Sequence, residues 1–225
     1  MKRARGAQPG AAWVRTMFSR IAPRYDLLNH LLSFNQDRRW RARTASRLSE
    51  ILARPGARVL DLCCGTGDLL LALQASRSLP VLGCDFSRAM LTLARRKDPR
   101  CALIEADALR LPFADASLDL ITIAFGFRNL ADYHAGLEEM RRVLKPGGTL
   151  AILEFSQPSR RWWVVLFGFY SRFVLPLAGG VISGEPTAYR YLPASVRRFP
   201  SPEELAAEMC AGGVSSAAAA TEMPA

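Results

Sequence analysis

Val59-Leu-Asp-Leu-Cys-Cys-Gly-Thr-Gly-Asp68 is the stretch whose reading decides the fold. A short apolar strand runs into two glycines separated by one residue, and a helix-like segment over Asp68–Ala75 follows. A second apolar strand, Val81-Leu-Gly-Cys-Asp85, ends in an acid eighteen positions after Gly67. Strand, glycine turn, helix, strand, acid is the order that holds a nucleoside cofactor. The backbone approaches the ligand at the turn, and the acid accepts from the ribose hydroxyls.

Strands and helices go on alternating beyond this unit. Strands are expected near Ala102–Glu105, Leu118–Phe125 and Thr149–Phe155. Helices are expected over Ser87–Arg96, with Ser87 as N-cap, and over His134–Leu144, stopped by Lys145-Pro-Gly-Gly148. Continuously apolar strands joined by helices predict an α/β fold, a doubly wound parallel sheet covered on both faces. Residues 13–54 carry apolar side chains at helical spacing, interrupted by Pro23, and predict a helical cap. Residues 1–12 read as a flexible basic arm, residues 55–214 as the cofactor domain, and residues 215–225 as a low-complexity tail. Residues 156–200 read as a substrate- or membrane-facing insertion within that domain, aromatic and basic over 156–183 and a Pro- and Arg-bearing segment over 184–200, and a short helix starting at Ser201 has Glu203 and Glu204 in its first turn.

The chain has 225 residues, half of them apolar, and a formal charge of +10. This excludes a disordered chain and supports one full α/β core. The charge favours anionic partners, but no Arg cluster interleaves with aromatics as a nucleic-acid platform would require, so none is expected. Five Cys and only two His show no metal-ligand spacing, and the Cys read as small buried hydrophobes in a reducing compartment, so no metal is expected. The region Trp162 to Ile182 is broken by Arg172, Pro176 and Gly179-Gly180, too often for a spanning helix. The expected location is cytoplasmic, with room for peripheral contact at the inner face of the membrane.

The details of the glycine turn select the cofactor. A dinucleotide fingerprint would place a third glycine where Leu70 stands. Asp68, at the start of the helix, repels a phosphate and suits an ammonium. Both point away from a dehydrogenase and towards S-adenosylmethionine, whose amino-acid end is zwitterionic. Asp61, Gly65, Thr66, Gly67 and Asp85 are the core of that site. Phe86 and Met90 are placed to flank an adenine, and Asp107 with Ala108 follows the third strand, where a carboxylate can accept from the exocyclic amine.

Several further stretches carry a specific resemblance. Met17-Phe-Ser-Arg-Ile-Ala-Pro-Arg-Tyr-Asp-Leu-Leu-Asn29, Leu32-Ser-Phe-Asn-Gln-Asp-Arg-Arg-Trp40 and Ile121-Thr-Ile-Ala-Phe-Gly-Phe-Arg-Asn129 resemble signatures of the ubiquinone/menaquinone biosynthesis C-methyltransferases, a class I methyltransferase family. Arg141-Arg-Val-Leu-Lys-Pro-Gly-Gly148, Leu153-Glu-Phe-Ser156 and Tyr189-Arg-Tyr-Leu192 resemble that family as well, and the similarity spans roughly residues 13–214. The resemblance implies a Rossmann-like sheet of order 3-2-1-4-5. It also implies methyl transfer from S-adenosylmethionine to a ring carbon of a polyprenylated quinol, demethylmenaquinol or the benzoquinol counterpart. Thr66, Asp85, Asp107 and Ala108 would contact the cofactor, whereas Ala124 stands where the family often has Ser and offers only a backbone contact.

Methylating a ring carbon needs the adjacent hydroxyl ionised, so something must stabilise the phenolate or take its proton. Arg128 and Asn129, just past the fourth strand, are the first choice. The competing assignment for Arg128 is an ion pair with Asp132. Tyr25, Asp26, Asn29 and His30, on a segment expected to cover the pocket, are the second choices. Trp162, Trp163, Phe167, Phe169 and Tyr170 beside Arg160, Arg161 and Arg172 suit an interfacial helix or lid touching anionic lipid. A second copy of the chain is an admissible partner, the oligomeric state being open.

The resemblance fails after Gly213-Val214. Two further strands forming an antiparallel hairpin are expected there, and Ser-Ser-Ala-Ala-Ala-Ala-Thr-Glu-Met-Pro-Ala225 stands instead. Alanine has poor strand propensity, so the fifth strand is expected to have an open edge. Alternatives therefore stand beside the quinol reading: a homologue that binds the cofactor without turnover or only on assembly, and a methyltransferase for another small molecule. An RNA substrate is suggested by net charge alone.

Overall fold

The computed structural model describes residues 10–155, 186–211 and 217–220. The cap consists of α1 (Ala11–Ile21), a 3-10 turn (Ala22–Arg24), α2 (Tyr25–Leu32), α3 (Gln36–Arg47) and α4 (Ser49–Leu52). Pro23 sits in the 3-10 turn. It has no N–H to donate, so the helix breaks there and α2 restarts in a new direction. The core alternates β1 (Val59–Leu62), α5 (Asp68–Gln74), β2 (Leu82–Asp85), α6 (Arg88–Lys97), β3 (Ala102–Glu105), β4 (Leu118–Ala124), α7 (Tyr133–Val143) and β5 (Leu144–Leu153). After residue 185 come α8 (Pro186–Arg198), α9 (Pro202–Ala211) and β6 (Ala217–Ala220).

The sheet order is β3-β2-β1-β4-β5-β6, and every pair is parallel. Strand periodicity divides the side chains between two layers. Leu60 and Leu62 of β1 join Ile121 and Ile123 of β4 on one face, under Met140 of α7 and Leu205 and Met209 of α9. Val59 and Leu120 lie on the other face, under Leu48, Leu69 and Leu73. Burying each such Leu or Ile contributes about 1.5–3 kcal/mol. The same alternation sends Asp61 and its register partner Thr122 to the face of Val59 and Leu120. A charged residue thus reaches the centre of a buried strand.

Three expectations change. The open edge on β5 does not occur: Ala217–Ala220 pairs in parallel with Leu150–Leu153. Strand propensity is a weak preference, and a row of unpaired main-chain groups on β5 overrides it. Residues 186–198, read only as a Pro- and Arg-bearing segment, form α8 despite the internal Pro193. Its inward residues Ala188 and Tyr191 pack on Met17, Ile21 and Leu28 of the cap. Finally, β5 starts directly after α7, and Lys145–Gly148 bulges between the pairs Leu118↔Leu144 and Leu120↔Thr149. Cys210 and the stretch 156–185, including the Trp162–Tyr170 cluster, lie outside the described residues or side chains.

Candidate active site

The carboxyl ends of β1, β2 and β4 converge under α1 and α2. There a cleft of about 740 Å3, including its open mouth, is lined by Phe18, Tyr25, Asp85, Phe86, Met90 and Asn129, among others. A second cavity of about 320 Å3 adjoins it and is lined by Arg41, Asp61, Gly65, Thr66 and Asp68. Tyr25, Cys63, Gly65 and Ala124 line both, so the two are lobes of one site.

Backbone geometry at the strand ends opens this space. Gly65 has φ +55°, and a Cβ there would meet nothing within 4 Å. The turn therefore offers its bare backbone to the cleft. Cys63 and Phe125 adopt φ +55° and +57° without being glycine. Non-glycine residues seldom adopt this conformation, and its occurrence at two strand ends marks a constrained site. Gly126 is required by a close approach: a Cβ there would collide with the Cβ of Cys63.

Asp61 is 1% exposed. Its Oδ1 accepts 2.8 Å from the Thr122 hydroxyl, while Oδ2 has no hydrogen bond among the described residues. Burial pushes its carboxyl up to about 7, against the opposing influence of Thr122, Arg41 and the nearby Leu70 amide. A buried carboxylate oxygen without a donor, facing a cavity, is fitted to a cationic ligand atom. Asp85 is arranged differently. Its Oδ2 accepts from the Gly65 amide at 2.9 Å and its Oδ1 from the Ser87 amide at 2.8 Å. Burial still pushes it up to about 6. Each oxygen keeps a second lone pair, enough to accept from a diol.

The remaining sequence candidates are distributed unevenly. Phe86, Met90, Asp107, Ala108 and Ala124 line the larger lobe or the junction. One oxygen of Asp107 accepts from the Leu109 amide at 2.9 Å. Thr66 donates to Asp26 of the cap at 2.5 Å and accepts from Lys97 at 3.1 Å. Gly67, with φ +86°, caps the start of α5. Asp68 does not stand free for an ammonium: it pairs with Lys97 at 2.5 Å and lies 3.7 Å from Arg41 and 3.8 Å from His30. Two cations and an imidazole crowd a position that the sequence shows only as an acid beside a glycine.

Asn129 lines the cleft, and its Oδ1 accepts from the Tyr191 hydroxyl at 3.0 Å. Arg128 turns inward. Its guanidinium pairs with Glu154, donates to the Phe125 carbonyl at 2.7 Å and lies over the Phe155 ring at 5.6 Å. The partner is thus Glu154, not Asp132, which instead caps α7 by accepting from the Ala135 amide. The Nε of Arg128 is buried without a partner among the described residues. The Tyr25 phenol is pushed up by burial, with the Arg128 and Arg41 cations opposing. His30 lies apart from the cleft, bonded to Asp37 at 2.8 Å. Among the described residues, His30, Asp37 and Asp68 form one group with ligand atoms within 4.8 Å of one another, already engaged with Arg41 and Lys97.

Sequence reasoning missed Lys97, Glu154 and Tyr191 as site residues. The last two stand in stretches noted only for resemblance, and Lys97 reaches the site from the far end of α6. Arg41 carried a local signal, since it follows Asp37 by one helical turn and pairs with it.

A parallel sheet of this order, with a glycine turn, a buried acid ending the second strand and a carboxylate oxygen unpartnered among the described residues, is the framework of an S-adenosylmethionine-dependent methyltransferase. The solved structures agree on the fold. A SAM-dependent methyltransferase from Thermotoga maritima superposes with a TM-score of 0.59 at 20% identity, covering 88% of this chain and 80% of that one. Another from Aquifex aeolicus gives 0.53 at 22% identity, covering 76% and 78%. Closer relatives define the group. The demethylmenaquinone methyltransferase of Thermus thermophilus is 52% identical over 204 residues, 88% of this chain and 91% of that one. The ubiquinone/menaquinone biosynthesis C-methyltransferase of Geobacter sulfurreducens is 48% identical, covering 89% and 80%. The profile of the ubiE/COQ5 methyltransferase family matches residues 5–221, and the chain belongs to that family. No helix among the described residues is long and apolar enough to cross a membrane.

Proposed function

We propose that this protein methylates a ring carbon of a polyprenylated quinol, demethylmenaquinol being the favoured acceptor. The observation that carries the reading is the two-lobed cleft. One lobe presents the unpartnered Asp61 oxygen and the bare Gly65 backbone, and the other is apolar but ends at Asn129 and Tyr25. The names of the relatives at 52% and 49% identity favour demethylmenaquinol over the benzoquinol.

S-adenosylmethionine, when bound, supplies a methyl group on a positively charged sulfur. Asp61 would hold its ammonium, Asp85 its ribose hydroxyls, and Phe86, Met90 and Asp107 its adenine. For the acceptor, the chain must favour the phenolate and fix the carbon in line. The Asn129 amide and the Tyr25 hydroxyl are the neutral donors that face the cleft. Tyr25, with its phenol pushed upward, stays protonated at neutral pH and serves as a donor rather than a base. Glu154 balances the charge of Arg128. Arg128 therefore acts mainly by orienting the Phe125 carbonyl and the Asn129 amide, which donates to that carbonyl at 3.3 Å. The reading of a homologue without turnover rested on an open edge at β5, and β6 pairs along that edge.

The test is turnover of a short-chain demethylmenaquinol with methyl-labelled cofactor. Label in the ring is the expected result. Cofactor binding without transfer to that quinol or its benzoquinol counterpart would overturn the proposal.

A further inference from the structure

We infer that the outer ridge of α2 is a docking surface for an anionic lipid bilayer, an inference that rests on the lipid-soluble quinol reading for its purpose but not for its test. Leu27, Leu31 and Phe34 are 61%, 52% and 77% exposed. They recur at i, i+4 and i+7, so they form a single stripe on one side of α2 and its last turn. The other side of the same helix carries Leu28, fully buried in the cap core, and Tyr25, which lines the cleft. At about 100° per residue, the stripe lies roughly opposite Tyr25. One helix, about 10 Å across, therefore separates the stripe from the cleft.

The backbone reinforces this outward placement. Phe34 and Asn35 adopt φ +52° and +59°, consecutive left-handed residues without glycine. Hydrogen bonds from Phe34 N to Leu31 O and from Asn35 N to His30 O at 2.7 Å hold the turn. The result directs a large aromatic ring into solvent in a conformation that L-residues seldom adopt. By contrast Leu79, also exposed, precedes β2 and so lies at the end of the sheet away from the cleft.

Charge identifies the occupant. Arg38 and Arg39 are exposed and follow the stripe directly. An apolar stripe rimmed by arginines suits the headgroup region of an anionic leaflet, where such helices sit about 5–10 Å deep. Docked this way, α2 would hold the cleft at the membrane surface, within reach of a substrate whose tail stays in the lipid.

The experiment is flotation with phosphatidylglycerol/phosphatidylcholine vesicles free of quinone at low salt, against pure phosphatidylcholine. The parent is expected to float with the anionic vesicles, and added salt should weaken the association. The variant Leu27→Gln/Leu31→Gln/Phe34→Ser should lose at least about tenfold in partitioning, since three partly inserted apolar side chains go. Its turnover of a water-soluble quinol analogue should match the parent's, because the stripe faces away from the cleft. Arg38→Glu/Arg39→Glu should erase the preference for anionic lipid. Failure of the parent to float, or equal flotation of parent and triple variant, would overturn the inference. So would a parent dimer that the triple variant dissociates without any change in flotation, which would make the stripe a contact between copies. Flotation without any methyl transfer would leave the docking surface standing and sink the quinol reading instead.

Discussion

Asp61→Asn should stabilise the ligand-free protein at high pH while weakening its hold on the cofactor. Lifting a carboxyl from 3.8 to about 7 corresponds to about 4 kcal/mol, at ~1.4 kcal/mol per pH unit. Between those values the folded chain keeps a proton that the unfolded chain has released. Stability from this group therefore falls as pH rises through the window, and the full penalty applies above about 7. Asparagine removes the charge and keeps an oxygen for the Thr122 hydroxyl. Its amide hydrogens replace an oxygen that already lacked a partner, which costs about 1–3 kcal/mol. The net gain is about 1–3 kcal/mol at pH 8, or roughly 2–12 °C in melting temperature for a chain of this size. At pH 5 the parent is itself neutral at Asp61, and the gain should vanish. Thermal melts of both proteins from pH 5 to 8 measure this directly. Calorimetric titration with S-adenosylmethionine at pH 8 should show the variant weaker by about 10- to 100-fold, the worth of a hydrogen bond to a charged group. A melting difference that does not change with pH would refute the claim that Asp61 holds a buried, unbalanced charge.

Other consequences follow from neighbouring contacts. Gly126→Ala should lower stability by about 2 kcal/mol or more through its collision with Cys63. Because Cys63 has φ +55°, adding Cys63→Gly should restore most of that loss, and denaturant melts of the pair form a double-mutant cycle. Lys97→Met should cut the link from α6 to Asp26 and Asp68, so amide exchange in residues 25–32 should quicken and cofactor release should accelerate several-fold in stopped-flow displacement. Glu154→Gln should leave Arg128 a buried cation with a neutral partner, and turnover should fall about 10- to 100-fold with little change in cofactor affinity.

The chain exposes its fold in local patterns. Apolar runs Val59–Leu62 and Leu118–Ala124 are strands because their neighbours cover both faces, and the glycine turn between β1 and α5 needs nothing distant to form. The candidate cofactor residues share one cleft for the same reason: Gly65, Asp85, Phe86 and Asp107 lie at or just after the end of a strand, and parallel sheets bring those ends together. What was not legible depends on contacts between distant segments. Glu154 becomes the partner of Arg128 only because β5 lies beside β4. Lys97 reaches Asp26 only because the cap folds back over α6. Ala217–Ala220 forms a strand only because β5 offers an edge, and no propensity scale contains that offer. Pro193 likewise hides α8, whose stability comes from packing on the cap and not from local preference.

The site concentrates unfavourable terms in one place. Among the described residues Asp61 Oδ2 is buried without a donor and Arg128 Nε without an acceptor, and Cys63 and Phe125 hold left-handed backbone. Each left-handed residue alone costs about 1–2 kcal/mol. The surrounding core can carry these costs because Leu60, Leu62, Ile121 and Ile123 of the same strands are fully buried immediately behind them. Such costs persist where the ground state is meant to change on binding. If the proposed ammonium contact supplies the missing donor of Asp61, the same group that destabilises the ligand-free protein should make cofactor binding release protons near pH 7. Calorimetry at pH 6.5 in two buffers of different ionisation enthalpy counts them: between about half a proton and one proton released per cofactor is expected from a group at about 7. Release of none would mean that Asp61 is already ionised and paired, and that the gap beside it serves packing and not binding.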